Sequence, residues 1–287
     1  MVSLPEIPNI ELSQAACAST YSVKAFDESG TERTIEVSGE HELALFLDKR
    51  ELVTLMTLGA APELLTLGYL RNQALVSSIS DIASVQVDWE TNSVAVTSRL
   101  RATTGLAIWD DEEKNAALAT SLSKRVVTTG CGQGTQFGNL LERISPLAKE
   151  GMAKLSRSTV YAVMEHVRQY ESIYKVAGAV HGCALCSPDG DILYFNEDVG
   201  RHNAIDAVSG WMWINNVGGA DKIFYTTGRL TSEMVMKCAQ MGIAFLLSRS
   251  GVTHMGYQLA ERLNLTMIGR CQGKHYLLLT GAYRFRN

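Results

Sequence analysis

Lys222-Ile223-Phe224-Tyr225-Thr226-Thr227-Gly228-Arg229-Leu230-Thr231-Ser232-Glu233-Met234-Val235-Met236-Lys237-Cys238-Ala239-Gln240-Met241-Gly242-Ile243-Ala244-Phe245-Leu246-Leu247-Ser248-Arg249-Ser250 is the stretch that decides the fold. Lys222–Tyr225 reads as a strand, Ser232–Met241 as a helix and Ile243–Leu247 as a second strand. The next helix, Val252–Leu263, carries an apolar stripe of Val252, Met255, Leu259 and Leu263. Strands follow at Leu265–Ile268 and Tyr276–Leu279. Strand and helix in strict alternation predict an α/β sheet covered by helices.

The pattern continues upstream. Val160, Val163, Met164 and Val167 fall at helical spacing behind the candidate N-caps Ser156 and Ser158. Val176–Cys186 and Ile192–Phe195 read as strands joined by the turn Ser187-Pro188-Asp189-Gly190. Ile205, Val208 and Met212 mark another helix. Residues 156–287 therefore form one α/β unit. Before it, Tyr21–Val37 reads as a hairpin about Asp27-Glu28-Ser29-Gly30, and Leu43–Thr57 as strand. Pro62 opens a helix, and a second hairpin turns at Asp88–Asn92. Residues 20–125 are thus a smaller α+β unit, 126–155 a connector and 1–19 a loosely held, flexible lead.

With 287 residues the chain suits about two domains at roughly 150 residues each. A formal charge of −4 excludes a global field for nucleic acid, so an anionic partner needs local arginines. The N-terminal residues show no secretory pattern, and no apolar run is long enough to span a bilayer. Six cysteines in a chain of this size are no disulfide framework, and a reducing cytoplasm is the simplest setting.

Three turns share one design: Asp198-Val199-Gly200-Arg201-His202-Asn203, Thr226-Thr227-Gly228-Arg229-Leu230-Thr231-Ser232 and Ser248-Arg249-Ser250-Gly251. Each leaves an extended segment, enters a helix and combines glycine, a small polar residue and arginine. Helix N-termini suit phosphate, and arginine adds a bidentate fork. The expectation is a polyanion pocket at the carboxyl ends of the strands, drawing on Arg201, His202, Asn203, Thr227, Gly228, Arg229, Ser232, Ser248, Arg249 and Ser250. A capped helix with a solvated arginine is the plainer reading of any one turn.

Thr128-Thr129-Gly130-Cys131-Gly132-Gln133-Gly134 puts a lone thiol among three glycines, with Lys124 and Arg125 just upstream to favour the thiolate. Cys183-Ala184-Leu185-Cys186 falls in a strand, where positions three apart face opposite ways, and no second pair completes a zinc site. Cys238 reads as core beside Met234 and Met241, and Cys271 as packing or ligand contact. No metal ligand set is expected.

Tyr194-Phe195-Asn196-Glu197-Asp198-Val199-Gly200-Arg201-His202-Asn203-Ala204-Ile205-Asp206 resembles the signature of the formate dehydrogenase accessory sulfurtransferases (FdhD/NarQ). Tyr225–Val235, Ser248-Arg249-Ser250, Val53-Thr54-Leu55-Met56 and Leu67-Gly68-Tyr69-Leu70 resemble that family too, so the likeness runs from about residue 20 to the C-terminal part. It implies a cytidine-deaminase-like C-terminal domain, a homodimer, and a sulfur carrier with a cysteine persulfide. The implied donor is a cysteine desulfurase. The implied acceptor is the molybdenum (or tungsten) bis-pyranopterin guanine dinucleotide cofactor, bound as a client rather than held permanently, and the served enzyme is formate dehydrogenase.

The persulfide position that matches is Cys131, and the cofactor-contact loop corresponds to Arg270-Cys271-Gln272-Gly273-Lys274-His275. Two departures stand out. Gly134 occupies the place of a second loop cysteine, and Arg270 and Gln272 stand where an aromatic and a basic residue are expected. Two rival functions remain. A zinc deaminase lacks support because His181-Gly182-Cys183 has no glutamate and no proline precedes Cys183. A non-catalytic chaperone that binds and protects the cofactor would need no Cys131.

Overall fold

Hydrophobic alternation builds the first unit. In the computed structural model, which describes residues 9–110, 126–127, 134–135, 144–148 and 153–286, the strands are β1 (Glu11–Leu12), β2 (Thr20–Phe26), β3 (Glu32–Ser38), β4 (His41–Leu47), β5 (Arg50–Thr57), β6 (Ile82–Asp88) and β7 (Ser93–Ser98). Helix α1 (Pro62–Asn72) precedes β6, and α2 (Arg99–Thr104) follows β7. The five-stranded sheet runs β1-β6-β7-β4-β5, and β2 and β3 form a separate hairpin. Leu43, Leu45 and Leu47 point from alternate positions of β4 into a core shared with Leu65, Leu67 and Leu70 of α1.

Two expectations fail here. Leu43–Thr57 is not one extended run but a tight hairpin, β4–β5, turning through Asp48 (φ 46°) and Lys49 (φ 72°). The turn carries no glycine because the Asp48 carboxylate is tied down. It accepts from Ser98 N (2.8 Å), Ser98 Oγ (2.6 Å) and Ile108 N (2.8 Å). Residues 9–19 are not a loose lead either. β1 pairs with β6, Ser13 Oγ and Ala15 N donate to Glu63 Oε1 (2.6 and 2.7 Å), and Cys17 N donates to Gly59 O.

Between the units, two short strands, β8 (Val126–Val127) and β9 (Gly134–Thr135), pair antiparallel, with Val127 opposite Gly134. Cys131 lies outside the described residues.

The second unit begins at β10 (Leu155–Ser156). It continues through α3 (Arg157–Gln169), α4 (Ile173–Val176), β11 (His181–Cys186), β12 (Ile192–Asp198), α5 (Arg201–Ile214), β13 (Ile223–Thr226), α6 (Ser232–Gln240), β14 (Phe245–Ser248), α7 (His254–Arg262), β15 (Thr266–Gln272), β16 (His275–Leu278) and β17 (Phe285–Arg286). The six-stranded sheet is ordered β12-β11-β13-β14-β15-β16. β12, β13, β14 and β15 run the same way, and β11 and β16 run against them. Phe224, Leu246 and Met267 pack beneath α5, α6 and α7, while Tyr225, Phe245 and Leu247 face α3 on the other side.

The mixed α/β architecture is as expected, with local differences. The run Val176–Cys186 breaks at Gly178 and Ala179, both at positive φ, so β11 starts only at His181. Met255 is 56% exposed and leaves the apolar stripe of α7. The buried face there is Gly256, Leu259, Ala260 and Leu263, because Gly256 lies against the backbone of Leu230.

The units join where α1 crosses α5. Asn72 Nδ2 donates to Asp206 Oδ1 (2.7 Å), Ser209 Oγ donates to Asn72 Oδ1 (3.0 Å), and Lys237 Nζ of α6 reaches both Asp206 oxygens at 2.7 Å. A second tie is Asp198 at the end of β12. It accepts from Thr57 Oγ1 (2.5 Å) and Leu58 N (3.2 Å) of the first unit, and from Gly200 N (3.0 Å) and Asn203 Nδ2 (2.9 Å) of its own.

Candidate functional site

Because β12, β13, β14 and β15 are parallel, their carboxyl ends emerge along one edge of the sheet. All three arginine turns and the Arg270–His275 loop therefore lie on that edge, where open α/β sheets bind ligands. The turns are lashed together. Thr227 N donates to Gly182 O (2.9 Å), and Gly182 N donates to Thr227 Oγ1 (3.0 Å). Ser248 Oγ donates to Gly228 O (2.6 Å), Arg249 N to Thr226 O (3.1 Å), and Arg270 N to Ser250 O (2.9 Å). The small polar residues of the motifs thus build the frame of the edge.

A cleft of about 770 Å³ opens on the α3 side, a volume suited to a nucleotide-sized ligand. Tyr161, Met164 and Arg168 of α3, Tyr174 and Lys175 of α4, and Phe195 and Glu197 of β12 form one wall. Tyr225, Thr227, Arg249 and the loop Cys271-Gln272-Gly273-Lys274 form the other. Aromatic faces, cations and one buried carboxylate meet in a single cavity. Glu197 accepts from Ile173 N (2.6 Å) and Tyr174 N (3.2 Å). Burial raises its carboxyl above the ordinary value, against the pull of those two N–H groups. Burial likewise raises the Tyr225 phenol.

Of the expected ligand residues, Thr227, Arg249, Cys271, Gln272, Gly273 and Lys274 line this cleft. The others do not. Arg229 is exposed on its turn, and Arg270 and His275 are exposed beside the loop. Ser250 is half-buried, with its N–H donating to Ser248 Oγ. Gly228, Ser232 and Ser248 are enclosed. Asn203 is buried with its amide engaged by Met56 O (2.7 Å) and Asp198. His202 is buried with Nε2 3.0 Å from Glu233 Oε2, and desolvation holds its imidazole below the usual range despite that carboxylate. Arg201 is buried as well. The convergence of three arginines is one of turns along an edge, not of three side chains in one cavity.

The cysteines separate by burial. Cys183 and Cys186 sit on opposite faces of the sheet, and burial pushes both thiols up to about 12. Cys238 is core and its thiol is raised well above its ordinary value, as expected of a packing residue. Cys271 is 3% exposed, sits at the cleft wall, and is likewise pushed up to about 12 by burial. Cys17 is half-buried and its thiol is also raised by burial. None of these described thiols is set up as a ready thiolate. Among the described residues no group of three or more His, Cys, Asp or Glu side chains is arranged to hold a metal ion, and no helix is long and apolar enough to cross a membrane.

Sequence reasoning missed the α3–α4 wall. Tyr161, Glu165 and Arg168 repeat at helical spacing beside the buried Val160 and Val163, a second stripe that faces the cleft. It missed His181 as well. That residue is half-buried at the same strand-end edge, its imidazole held below the usual range by burial and then by Arg201, His202 and Arg229.

The family model described as the FdhD/NarQ family matches residues 38–286. This chain belongs to that family. A relative from Listeria monocytogenes named sulfur carrier protein FdhD is 29% identical, over 90% of this chain and 95% of its own length. One of the same name from Bacillus subtilis is 27% identical, over 86% and 89%. The fold is similar to the crystal structure of a protein described as a formate dehydrogenase accessory protein from Desulfotalea psychrophila. Its TM-score is 0.71 at 23% identity, covering 93% of this chain and 98% of that one. Both of these segments of the FdhD/NarQ chain, Asp198–Asn203 and Thr226–Ser232, lie on the strand-end edge described above.

Proposed function

We propose that this protein carries sulfur as a persulfide on Cys131, from a cysteine desulfurase to the molybdenum (or tungsten) bis-pyranopterin guanine dinucleotide cofactor of formate dehydrogenase. The observation that carries the reading is the cleft: aromatic walls at Tyr161, Phe195 and Tyr225, with Arg249 and Lys274 beside them, suit a purine and its phosphates. Arg229 adds positive charge on the neighbouring turn. The names of the relatives support sulfur transfer. So do the burial of Cys183, Cys186, Cys238 and Cys271 and the raised thiol of half-buried Cys17, which leave Cys131 in its glycine-rich segment as the thiol suited to exchange.

In the loading step the Cys131 thiolate attacks the terminal sulfur of the donor persulfide. A sulfur–sulfur bond forms to Cys131, the donor's own sulfur–sulfur bond breaks, and the donor leaves as a thiolate with no net oxidation. The same reading has the chain acting in the cytoplasm as a homodimer, with the second unit cytidine-deaminase-like. The strand order with β11 antiparallel inside the sheet supports that fold assignment.

Peptide mass spectrometry after incubation with a cysteine desulfurase and cysteine tests the carrier. One added sulfur on the Cys131 peptide is expected, and persulfide confined to another cysteine overturns it. Cys131→Ala should abolish formate dehydrogenase maturation and leave GDP binding unchanged; full maturation by that variant would instead make the protein a cofactor chaperone. Arg249→Ala should weaken GDP binding about tenfold or more, the loss of a charge-assisted pair.

A further inference from the structure

Glu197 lines the cleft and is 7% exposed. The other acid of the lining, Glu165, is partly exposed and held by Arg168. Two backbone donors reach Glu197, Ile173 N at Oε2 (2.6 Å) and Tyr174 N at Oε1 (3.2 Å). Among the described residues these are its only hydrogen-bond donors, and the ammonium of nearby Lys175 goes to Tyr170 O instead (2.6 Å). An ionised carboxylate accepts at about four lone-pair sites and donates at none. Each oxygen of Glu197 therefore keeps an acceptor site where water is largely excluded, and only a donor can fill it.

Phe195 stands two positions earlier on β12, so the two side chains leave the same face of the strand, about 7 Å apart. Its ring lies over the bare backbone of Gly182, where a Cβ would come within 2.8 Å of Cζ. Tyr170 supports the ring at 4.3 Å between centroids. A flat base stacked against this fixed ring turns one edge to the Glu197 carboxylate.

We propose that Glu197 is the specificity residue of the cleft and accepts the N1–H and N2–H donors of a guanine base. The inference rests on the reading of the cleft as a nucleotide site and adds what selects the base. Guanine presents N1–H and the N2 amino group side by side. Hypoxanthine keeps N1–H but lacks the amino group. Adenine turns the N1 lone pair to the carboxylate, which leaves a buried acceptor facing another acceptor and costs affinity. The same negative charge repels phosphate, so the base end of the ligand faces Glu197 and the phosphates face Arg249 and Lys274 on the opposite wall.

The test is calorimetric titration of the full-length protein with GDP, IDP and ADP at neutral pH. Wild type should bind GDP about tenfold or more tighter than IDP, and about a hundredfold or more tighter than ADP. Glu197→Met should bring the three within about threefold of one another. Arg249→Ala should weaken all three alike and keep their order, because a phosphate contact does not sense the base. Equal affinities in wild type overturn the assignment and leave the nucleotide reading standing. So does Glu197→Met weakening all three alike with their order unchanged, the result expected if the carboxylate only seats α4. No GDP binding by wild type overturns both readings. Should Glu197→Met fail to fold, wild-type crystals soaked with GDP decide: a guanine edge within hydrogen-bond distance of Glu197 supports the assignment, and an edge placed elsewhere overturns it.

Discussion

Gly68 of α1 and Gly210 of α5 face each other across the helix crossing with no space between the backbones. A Cβ at Gly68 would lie 1.7 Å from the carbonyl oxygen of Asp206, and one at Gly210 would lie 2.0 Å from that of Leu64. Both obstacles are helical backbone, which cannot swing aside. Gly68→Ala or Gly210→Ala should therefore cost about 3 kcal/mol or more, at or beyond the top of the usual overpacking range. Urea denaturation measures it, and a loss below about 1 kcal/mol would show that the crossing is looser than drawn.

Lys237 and Asp206 form a buried ion pair under the same crossing. Lys237→Met strands the carboxylate and should destabilise by about 3–5 kcal/mol, while adding Asp206→Leu should restore much of that loss. A double-mutant cycle should return a coupling of at least about 1 kcal/mol. Additive losses would mean that the two charges stabilise the chain independently.

Acid sensitivity should come first from histidine. His181 and His202 are both held below 6.5, by burial foremost. The unfolded chain then binds their protons first as pH falls. Their contribution to stability is complete above 6.5 and is lost as pH drops through the folded values. Asp198 and Glu197, raised by burial, act oppositely: their contribution is present below the unfolded values of 3.8 and 4.5 and is lost as pH rises through the folded ones. His202→Asn should lower the slope of unfolding free energy against pH just below 6.5 by up to about 1.4 kcal/mol per unit. Superimposable slopes for the two proteins would refute the assignment.

Thiol labelling should sort the cysteines. At mildly alkaline pH, iodoacetamide should leave Cys183, Cys186, Cys238 and Cys271 unmodified in the folded chain, because all four are buried and their thiols raised. Cys131 should label fast and Cys17 slowly. Labelling of Cys271 at a rate like that of Cys131 would add a second reactive sulfur to the chain, this one at the cleft wall.

Much of the second unit is legible because each of its elements repeats a local rule. The alternation from Ile223 to Ile268 could only be a covered sheet, and the Gly-Arg turns fall at its strand ends. The disguised turn at Asp48-Lys49 was not legible, since what permits it is a carboxylate held by Ser98 and Ile108, some 50 and 60 residues away. Pinning of the lead by Glu63 is equally non-local. At the site, the motif shows which turns gather but not which side chains turn inward. Arg201 and Arg249 look equivalent in the sequence, yet one is sealed under Gly228 and the other lines a cavity. The α3–α4 wall stayed hidden because it approaches across the sheet rather than along the chain.

Asp198 draws its donors from Thr57 and Leu58 in one half of the molecule and from Gly200 and Asn203 in the other. The acid of the signature is thus a rivet, and excising residues 156–287 would strip it of two of its four donors at the root of α5. A stand-alone second half would arrive with that strand-end edge unseated, so the smaller unit helps to shape the candidate site rather than being an appendage to it.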